Sequence, residues 1–195
     1  MAVRPTHVFL TGPPGVGKTT LVRQLKDSLL SCCPIRGFYT EEIRQGGRRI
    51  GFDVVLVNGN RCPLARIEED RFPSSYKKRP KVGKYSVYTD EFEQQVLSEL
   101  KKAQTDDVKS IFVLDEIGKM ELFSSKFKTE VMKVFESKGT VILGTIPVKK
   151  GSGILFVENI RRREDVKLFE VSFANRNRLF EDIVIKYFIN FLPHA

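Results

Sequence analysis

Continuous apolar runs alternate with amphipathic stretches along this chain, and each change of pattern predicts a new element. Runs typical of buried strands occupy residues 7–12, 110–116, 140–146 and 166–171. Apolar residues recur at helical spacing after Lys18, over 90–104, from Phe123 to Val134, over 154–163 and after Asn175. Strands that alternate with helices in this way predict an α/β fold, a mostly parallel sheet flanked by helices.

A different pattern interrupts this alternation between residues 35 and 67. Two β-rich runs flank the segment Gln45-Gly46-Gly47, and residues 58–60 lead into a third run. Short glycine-bearing turns between such runs predict an antiparallel meander, inserted after the first helix. Next, the polar stretch 68–80 predicts a surface loop, and residues 82–88 predict one further strand.

Two polar patterns predict where helices begin. Asp90 with Glu93 three residues later has the spacing of a capping box. Asn175 is a candidate cap for the final helix. Side-chain oxygens are preferred at these positions because the backbone N–H groups of the first turn have no partner within the helix.

Composition limits the class of protein. With 195 residues, 41% hydrophobic content and neither a repeat nor a flexible linker, residues 1–195 predict one globular domain. No apolar run approaches the roughly 20 residues of a membrane-spanning helix. The glycine-rich stretch 11–20 begins too early to leave room for a signal peptide. Cys32, Cys33 and Cys62 predict reduced thiols, hence a cytoplasmic or nuclear location, because adjacent cysteines bridge only with strain.

The net charge of +9 would attract any polyanion. However, the basic clusters at 48–49, 77–79 and 161–163 are short and are not interleaved with aromatic residues. We therefore favour solvated charge and phosphate contacts over a nucleic-acid site. The positions of His7 and His194 near opposite ends argue against a zinc site. Without a long heptad pattern, we expect a monomer.

The stretch TGPPGVGKTT, residues 11–20, is the strongest candidate for chemistry. Its glycines allow successive backbone N–H groups to converge on a phosphate, and the following helix adds its N-terminal dipole. We expect Lys18 to reach the β- and γ-phosphates and the Thr19 hydroxyl to ligate Mg²⁺. The nucleotide contacts predicted here are Gly12, Pro13, Pro14, Gly15, Val16, Gly17, Lys18, Thr19 and Thr20.

A second candidate lies where the apolar run 111–114 ends in Asp115 and Glu116. The carboxyl ends of parallel strands are where α/β sheets bind ligands. Asp115 is thus predicted to hold Mg²⁺ together with Thr19. Glu116, with Lys18 as the second catalytic residue, is predicted to orient and polarise a water opposite the γ-phosphate. The alternative is that Glu116 caps the turn that Gly118 indicates.

Charge that develops during phosphoryl transfer requires a further cation. Lys119 follows the acidic strand end and is predicted to contact the nucleotide together with Asp115 and Glu116. Arg44, Arg48 and Arg49 in the predicted hairpin are the other candidates, and the sequence does not rank them.

Segments over nearly the whole chain resemble a known family of small P-loop nucleoside-triphosphatases, which includes the cancer-related nucleoside-triphosphatases. The resemblance is carried by HVFLTGPPGVGKTTL, GFYTEEIRQGGRRIGFDVV, LDEIGKMELFS, VILGTIPV, ENIRRREDVKLFEV and NRNRL. It implies a RecA-like P-loop fold and slow, Mg²⁺-dependent hydrolysis of ATP, GTP, CTP, UTP and TTP to diphosphate and phosphate. Weaker action on diphosphates is also implied. The family's site residues carry over onto 12–19, Asp115 and Glu116.

Three other hypotheses remain open at this stage. A small nucleotide or metabolite kinase would use an arginine lid, for which 161–163 is the candidate. A kinase must exclude water, however, whereas Glu116 beside Asp115 suits water recruitment. A nucleotide-dependent binding module and a nucleic-acid enzyme are the remaining two.

Overall fold

The computed structural model of the protein describes residues 7–67, 79–104 and 109–188. The strands are β1 (His7–Thr11), β2 (Ile35–Gln45), β3 (Arg48–Leu56), β4 (Arg61–Ile67), β5 (Lys81–Val82), β6 (Tyr85–Val87), β7 (Ser110–Leu114), β8 (Thr140–Thr145) and β9 (Val166–Glu170). The helices are α1 (Lys18–Leu29), α2 (Thr89–Lys101), α3 (Ser125–Glu136), α4 (Leu155–Arg161) and α5 (Arg176–Ile183). Short 3₁₀ turns follow at Lys102–Gln104 and Glu121–Phe123, and a π-helical turn at Val184–Phe188.

These strands form one sheet in the order β5-β6-β4-β3-β2-β7-β8-β1-β9. Within this sheet, the five neighbouring strands β2-β7-β8-β1-β9 are mutually parallel. The crossover through α1 leads from β1 towards β2, and the crossover through α4 leads from β8 to β9 on the opposite side. A crevice opens at the carboxyl ends of strands whose connections diverge in this way. The predicted α/β fold is confirmed.

The period-2 alternation of the strands divides the apolar core between the two faces of the sheet. Val8 and Leu10 pack with Leu21 and Leu25 of α1, on the face that α5 also covers. Phe9 faces the other side, where α2, α3 and α4 supply the cover. Helices therefore bury both faces of the sheet, which explains why the sequences of β1, β7 and β8 are continuous apolar runs.

The predicted meander is present, and it continues the parallel sheet. β2 pairs in parallel with β7 through residues 35–38 and antiparallel with β3 through residues 38–45. The long strand β2 thus belongs to both the parallel and the antiparallel half of the sheet. Gly46 and Gly47 form the two-residue turn with φ values of 55° and 77°, which favour glycine. The single strand predicted over 82–88 is instead the pair β5 and β6, and 68–78 of the predicted surface loop lie outside the described residues.

The predicted capping box at Asp90 and Glu93 is wrong. Helix α2 begins one residue earlier, at Thr89, and its N-cap residue is Tyr88, whose side chain makes no capping hydrogen bond. The Glu93 carboxylate instead accepts hydrogen bonds from Ser124 Oγ at 2.7 Å and Lys126 Nζ at 2.8 Å. The Glu93 carboxylate, which the local pattern assigned to a backbone N–H group, thus makes a tertiary contact between α2 and the start of α3.

Asn175 precedes α5 as predicted, but its side chain does not cap the helix. Its Oδ1 accepts from Ser172 N at 2.8 Å, and its Nδ2 donates to Glu170 O at 2.9 Å. The asparagine therefore fixes the loop between β9 and α5. The cap prediction was wrong because Asn satisfies loop backbone groups as readily as helix ends.

His7 opens β1 at the edge of the sheet opposite the glycine-rich loop. Its Nδ1 accepts from Ile142 N at 3.1 Å, and burial lowers its pKa to about 4 from 6.5. The unfolded chain therefore binds more protons than the folded chain between these two values. We expect His7 to lower the free energy of unfolding by about 3 kcal/mol as the pH drops from 6.5 to 4, whereas the buried acid Glu121, whose pKa is raised to about 8, acts in the opposite direction over the same interval.

Urea unfolding at several pH values, for the natural chain and for His7→Gln, checks this expectation. Across that window the free energy of unfolding of the natural chain should fall by about 3 kcal/mol relative to that of His7→Gln, whatever their absolute stabilities. Asp165, whose pKa Arg163 lowers below its ordinary 3.8, does not titrate there. Equal slopes for the two chains would contradict the assignment to His7.

Candidate active site

The two predicted motifs meet at the carboxyl edge of the parallel strands. The glycine-rich loop joins β1 to α1, and Asp115 and Glu116 follow β7 directly. β8 separates these two strands in the sheet. Because all three strands run in the same direction, the two motifs end on the same side of the sheet, as predicted.

The loop is shaped by glycines with positive φ. Gly12, Gly15 and Gly17 have φ values of 152°, 76° and 105°. A Cβ at Gly12 would lie 2.5 Å from Val171 O, so a larger residue would push the loop away from the neighbouring chain. Gly17 stands at the N-terminus of α1, whose dipole points at any bound anion.

The remaining predicted loop residues fall into two groups. Val16 is buried and anchors the loop in the core beneath α1. Pro13, Pro14, Gly15 and Thr20 are exposed to solvent. Lys18 curls back over the loop, where its Nζ donates to Gly12 O at 2.8 Å and to Pro13 O at 3.2 Å.

Asp115 is buried, with 1% of its surface exposed. Its Oδ1 accepts from Thr145 Oγ1 at 2.6 Å, whereas its buried Oδ2 has no hydrogen-bond partner among the described residues. Desolvation raises the pKa of Asp115, and the hydroxyls of Thr145 and Thr19 oppose this shift. The predicted metal pair, Asp115 and Thr19, is thus brought together.

Glu116 is half-buried and lines a cavity together with Lys18. Desolvation raises its pKa, the positive charge of Lys18 lowers it, and the negative charge of Asp115 raises it further. The peptide bond between Asp115 and Glu116 is cis. A carboxylate with a raised pKa at the wall of a cavity accepts a proton more readily than one in water.

Glu121 takes the turn-capping role that was the alternative for Glu116. Its Oε2 accepts from Gly118 N at 3.0 Å, and only 4% of the residue is exposed. Burial, and next the charge of Glu116, raise the pKa of Glu121 to about 8. Residue-level reasoning missed this neutral acid, and its only signal was its position in the DEIGKMEL segment.

The oxygens at this point fit Mg²⁺. The unpartnered Asp115 Oδ2 and the Thr19 hydroxyl are hard donors of the kind this ion prefers. Within 7–67, 79–104 and 109–188, no three His, Cys, Asp or Glu residues form a metal-binding group. One carboxylate and one hydroxyl are what a protein supplies when substrate phosphates and water complete the coordination.

The cavity beside Glu116 has a volume of about 610 Å³. One wall is the glycine-rich loop, and the others come from the meander, residues 119–121 and residues 147–158. The apolar lining consists of Phe52, Leu64, Val82, Met120, Val148, Ile154 and Val157. Lys119, predicted as a site cation, lines the cavity, and so do Lys149 and Lys150, which sequence reasoning did not single out.

The hairpin arginines are not brought into this site. Arg44 pairs with Glu42 and donates to Gly47 O at 2.8 Å. Arg49 donates to Glu42 at 3.0 Å and to Tyr85 Oη at 3.0 Å. Neither these two nor the exposed Arg48 lines the cavity.

The arginine run 161–163 does not form a lid. Arg163 is held by Asp165 at 2.8 and 2.7 Å, just before β9 begins, and so lies at the opposite edge of the sheet. Arg161 donates to Pro147 O at 2.7 Å and thereby supports the 147–158 segment. Arg161 and Arg163 are close in sequence, but they bond different segments of the structure, one Pro147 and the other Asp165.

Arg176 of α5 contacts the glycine-rich loop and was also missed. Its Nη1 donates to Val16 O at 3.4 Å, and its side chain lies 3.6 Å from where a Cβ on Gly17 would be. The contact joins residues 160 positions apart, so no local pattern could have indicated it.

A family model described as NTPase matches residues 7–184, which include every element of this site. The chain belongs to the NTPase family. A bovine relative, the cancer-related nucleoside-triphosphatase homolog of Bos taurus, is 53% identical over 91% of this chain and 94% of its own length. The resemblance noted from the motifs is thereby confirmed.

Solved structures of family members agree with the fold. The solution structure of a human cancer-related nucleoside triphosphatase superposes with a TM-score of 0.79 and 51% identity, over 94% of this chain and 96% of the other. The crystal structure of THEP1 from Aquifex aeolicus gives 0.75 and 31%, over 91% and 96%. The described helices are too short or too polar to traverse a bilayer.

Proposed function

We propose that this NTPase-family chain hydrolyses nucleoside 5′-triphosphates to diphosphate and phosphate with Mg²⁺. The observation that carries the proposal is Glu116, a half-buried carboxylate with a raised pKa that lines a cavity beside Lys18. Membership in the family and the names of the relatives support hydrolysis. Use of ATP, GTP, CTP, UTP and TTP, slow turnover and weaker action on diphosphates are supported by the motif resemblance.

In the proposed reaction, the loop 12–17 and the N-terminus of α1 bind the triphosphate through backbone N–H groups. Lys18 exchanges its contacts with Gly12 O and Pro13 O for phosphate oxygens. A water oxygen bonds to the γ-phosphorus as the bridging β–γ bond breaks. The water's proton passes to Glu116, and the bond's electron pair leaves on the diphosphate.

Asp115 and Thr19 are the residues that would hold the metal. Bound Mg²⁺ neutralises charge on the phosphate oxygens during transfer. Thr145 fixes the Asp115 carboxylate through Oδ1, so that Oδ2 keeps a defined direction. This orientation comes from β8, the strand that lies between β1 and β7.

Asp115→Asn should raise the Mg²⁺ concentration needed for half-maximal activity by about tenfold or more, since the amide removes the charge that faces the cation. Activity is measured against Mg²⁺ concentration at saturating ATP. Asp182→Asn, which removes a surface carboxylate of α5, is the matched control and should leave the titration unchanged. An unaltered midpoint in Asp115→Asn would remove Asp115 from the metal site.

Phosphate release from a panel of nucleoside triphosphates and diphosphates, with and without acceptors, tests the proposed reaction. If the protein is a hydrolase, it should release one phosphate for each triphosphate consumed, without any added acceptor. The names of the relatives give the kinase alternative no support. The cavity of about 610 Å³ is nevertheless large enough to hold a phosphate acceptor, since one water occupies only roughly 30 Å³. Nucleosides and small metabolites are therefore included, and phosphate transfer that required one of them would overturn the proposal. Stimulation by RNA or DNA would instead favour a nucleic-acid enzyme.

A reducing location and a monomeric state are part of the proposal. Cys32, Cys33 and Cys62 are free thiols, and burial raises the pKa of Cys33 and Cys62 to about 11. Such thiols are poor nucleophiles, which supports a structural role in a cytoplasmic or nuclear protein. Sedimentation velocity at several protein concentrations checks the monomer.

A further inference from the structure

The loop between β9 and α5 runs directly beside the glycine-rich loop. Val171 N donates to Thr11 O at 2.7 Å, which extends the pairing of β9 with β1 to the first residue past the strand. Gly12 packs against the Val171 carbonyl so closely that only a glycine fits. Residues 172–176 therefore leave the sheet at the rim of the phosphate-binding loop.

Phe173 stands in this loop with 72% of its surface exposed. Its ring belongs to neither apolar core, and its charged neighbour is the Arg176 guanidinium, 5.2 Å from the ring centre. A single exposed aromatic is ordinary on a protein surface. A ring that carries a guanidinium beside it, at the rim of a phosphate site, is the arrangement on which nucleobases stack.

Arg176 connects the ring to the phosphate loop. The same guanidinium donates to Val16 O, and its Cδ lies 3.7 Å from where a Cβ on Gly17 would be. Val16, Gly17, Phe173 and Arg176 do not line the cavity that contains Glu116. The Phe173–Arg176 pair thus lies next to the phosphate-binding loop but outside the cavity that holds the proposed catalytic carboxylate.

The loop is held in this shape by several hydrogen bonds. Asn175 bonds both Ser172 N and Glu170 O, and Arg176 N donates to Ser172 O at 3.1 Å. The position of Phe173 is set by these contacts before any ligand binds. A preformed aromatic surface loses little conformational entropy on binding.

We infer that Phe173 and Arg176 form the nucleobase platform of this protein, on which the base of a nucleoside triphosphate stacks while its phosphates bind residues 12–19. This inference rests on the proposed function. Stacking contacts the face of a base, which purines and pyrimidines share, and does not select hydrogen-bonding edges. A platform of this kind gives similar affinity for all five triphosphates, which is the broad base tolerance that the motif resemblance implies.

Phe173→Ala tests the platform by direct binding of Mg²⁺-ADP and of inorganic tripolyphosphate, measured by calorimetry. The dissociation constant for ADP should rise about tenfold, and that for tripolyphosphate, which has no base, should stay within twofold. Phe173→Trp should restore ADP affinity. Ile185→Ala, a truncation of another exposed apolar residue at 61% exposure, is the matched control and should change neither constant.

Two outcomes overturn the inference. Unchanged ADP binding in Phe173→Ala would show that the base lies elsewhere, and an equal loss for tripolyphosphate would show that Phe173 only supports the loop. Because the measurement is binding, it is independent of turnover. Failure of hydrolysis in the natural chain would therefore reject the proposed reaction without deciding where the base stacks.

Discussion

Glu116→Gln is expected to lower the rate of triphosphate hydrolysis by about 10²–10⁴-fold. Glutamine keeps the size of the side chain and its place beside Lys18 in the cavity wall. It cannot take a proton from water, so the step in which the attacking oxygen loses its proton has no base. The dissociation constant for Mg²⁺-ADP should stay within about threefold, because phosphate binding depends on the loop.

Glu121→Gln is the matched control for this substitution. Glu121 is a second buried acid in the same turn, and its pKa of about 8 leaves it neutral at pH 7, so glutamine reproduces its charge. Its hydrogen bond from Gly118 N can still be accepted by the amide oxygen. Single-turnover phosphate release at pH 7 should separate the two variants by at least an order of magnitude. Equal rates in both, or lost nucleotide binding in Glu116→Gln, would reject Glu116 as the general base.

Lys18→Ala should raise the dissociation constant for nucleoside triphosphates by about 100-fold, since charge-assisted bonds to two phosphates are lost. The maximal rate should fall as well, because the same ammonium offsets charge on the transferring phosphoryl group. In the free protein the ammonium donates to Gly12 O and Pro13 O, so its removal also takes a hydrogen-bond partner from each of these loop carbonyls.

Lys26→Ala, on the same helix and paired with Asp27, removes an equal charge away from the loop and serves as the control. Equilibrium binding of a non-hydrolysable triphosphate and steady-state kinetics provide the two readouts. Thermal melting of each variant verifies that the fold is kept. Natural affinity and natural turnover in Lys18→Ala would exclude the glycine-rich loop from the mechanism.

Local patterns predicted most of the fold because a strand that is buried on both faces of the sheet consists of consecutive apolar residues. The runs at β1, β7 and β8 are continuous and apolar, and the two-residue glycine turn before β3 allowed the hairpin to be recognised. The errors fell where a polar side chain had a choice of partners. The Glu93 carboxylate accepts hydrogen bonds from Ser124 and Lys126, which are 31 and 33 positions away, and no pattern of neighbouring residues indicates such partners.

The sequence by itself determined the α/β alternation, the phosphate loop and the acidic strand end, because each depends on residues that are close along the chain. Only the tertiary structure decided that β8 lies between β1 and β7 and that one strand, β2, joins the parallel and antiparallel halves. It also carried Arg176 across 160 positions to Val16. These features depend on which distant segments pack together, and packing contacts of that kind leave no periodic signal in the chain.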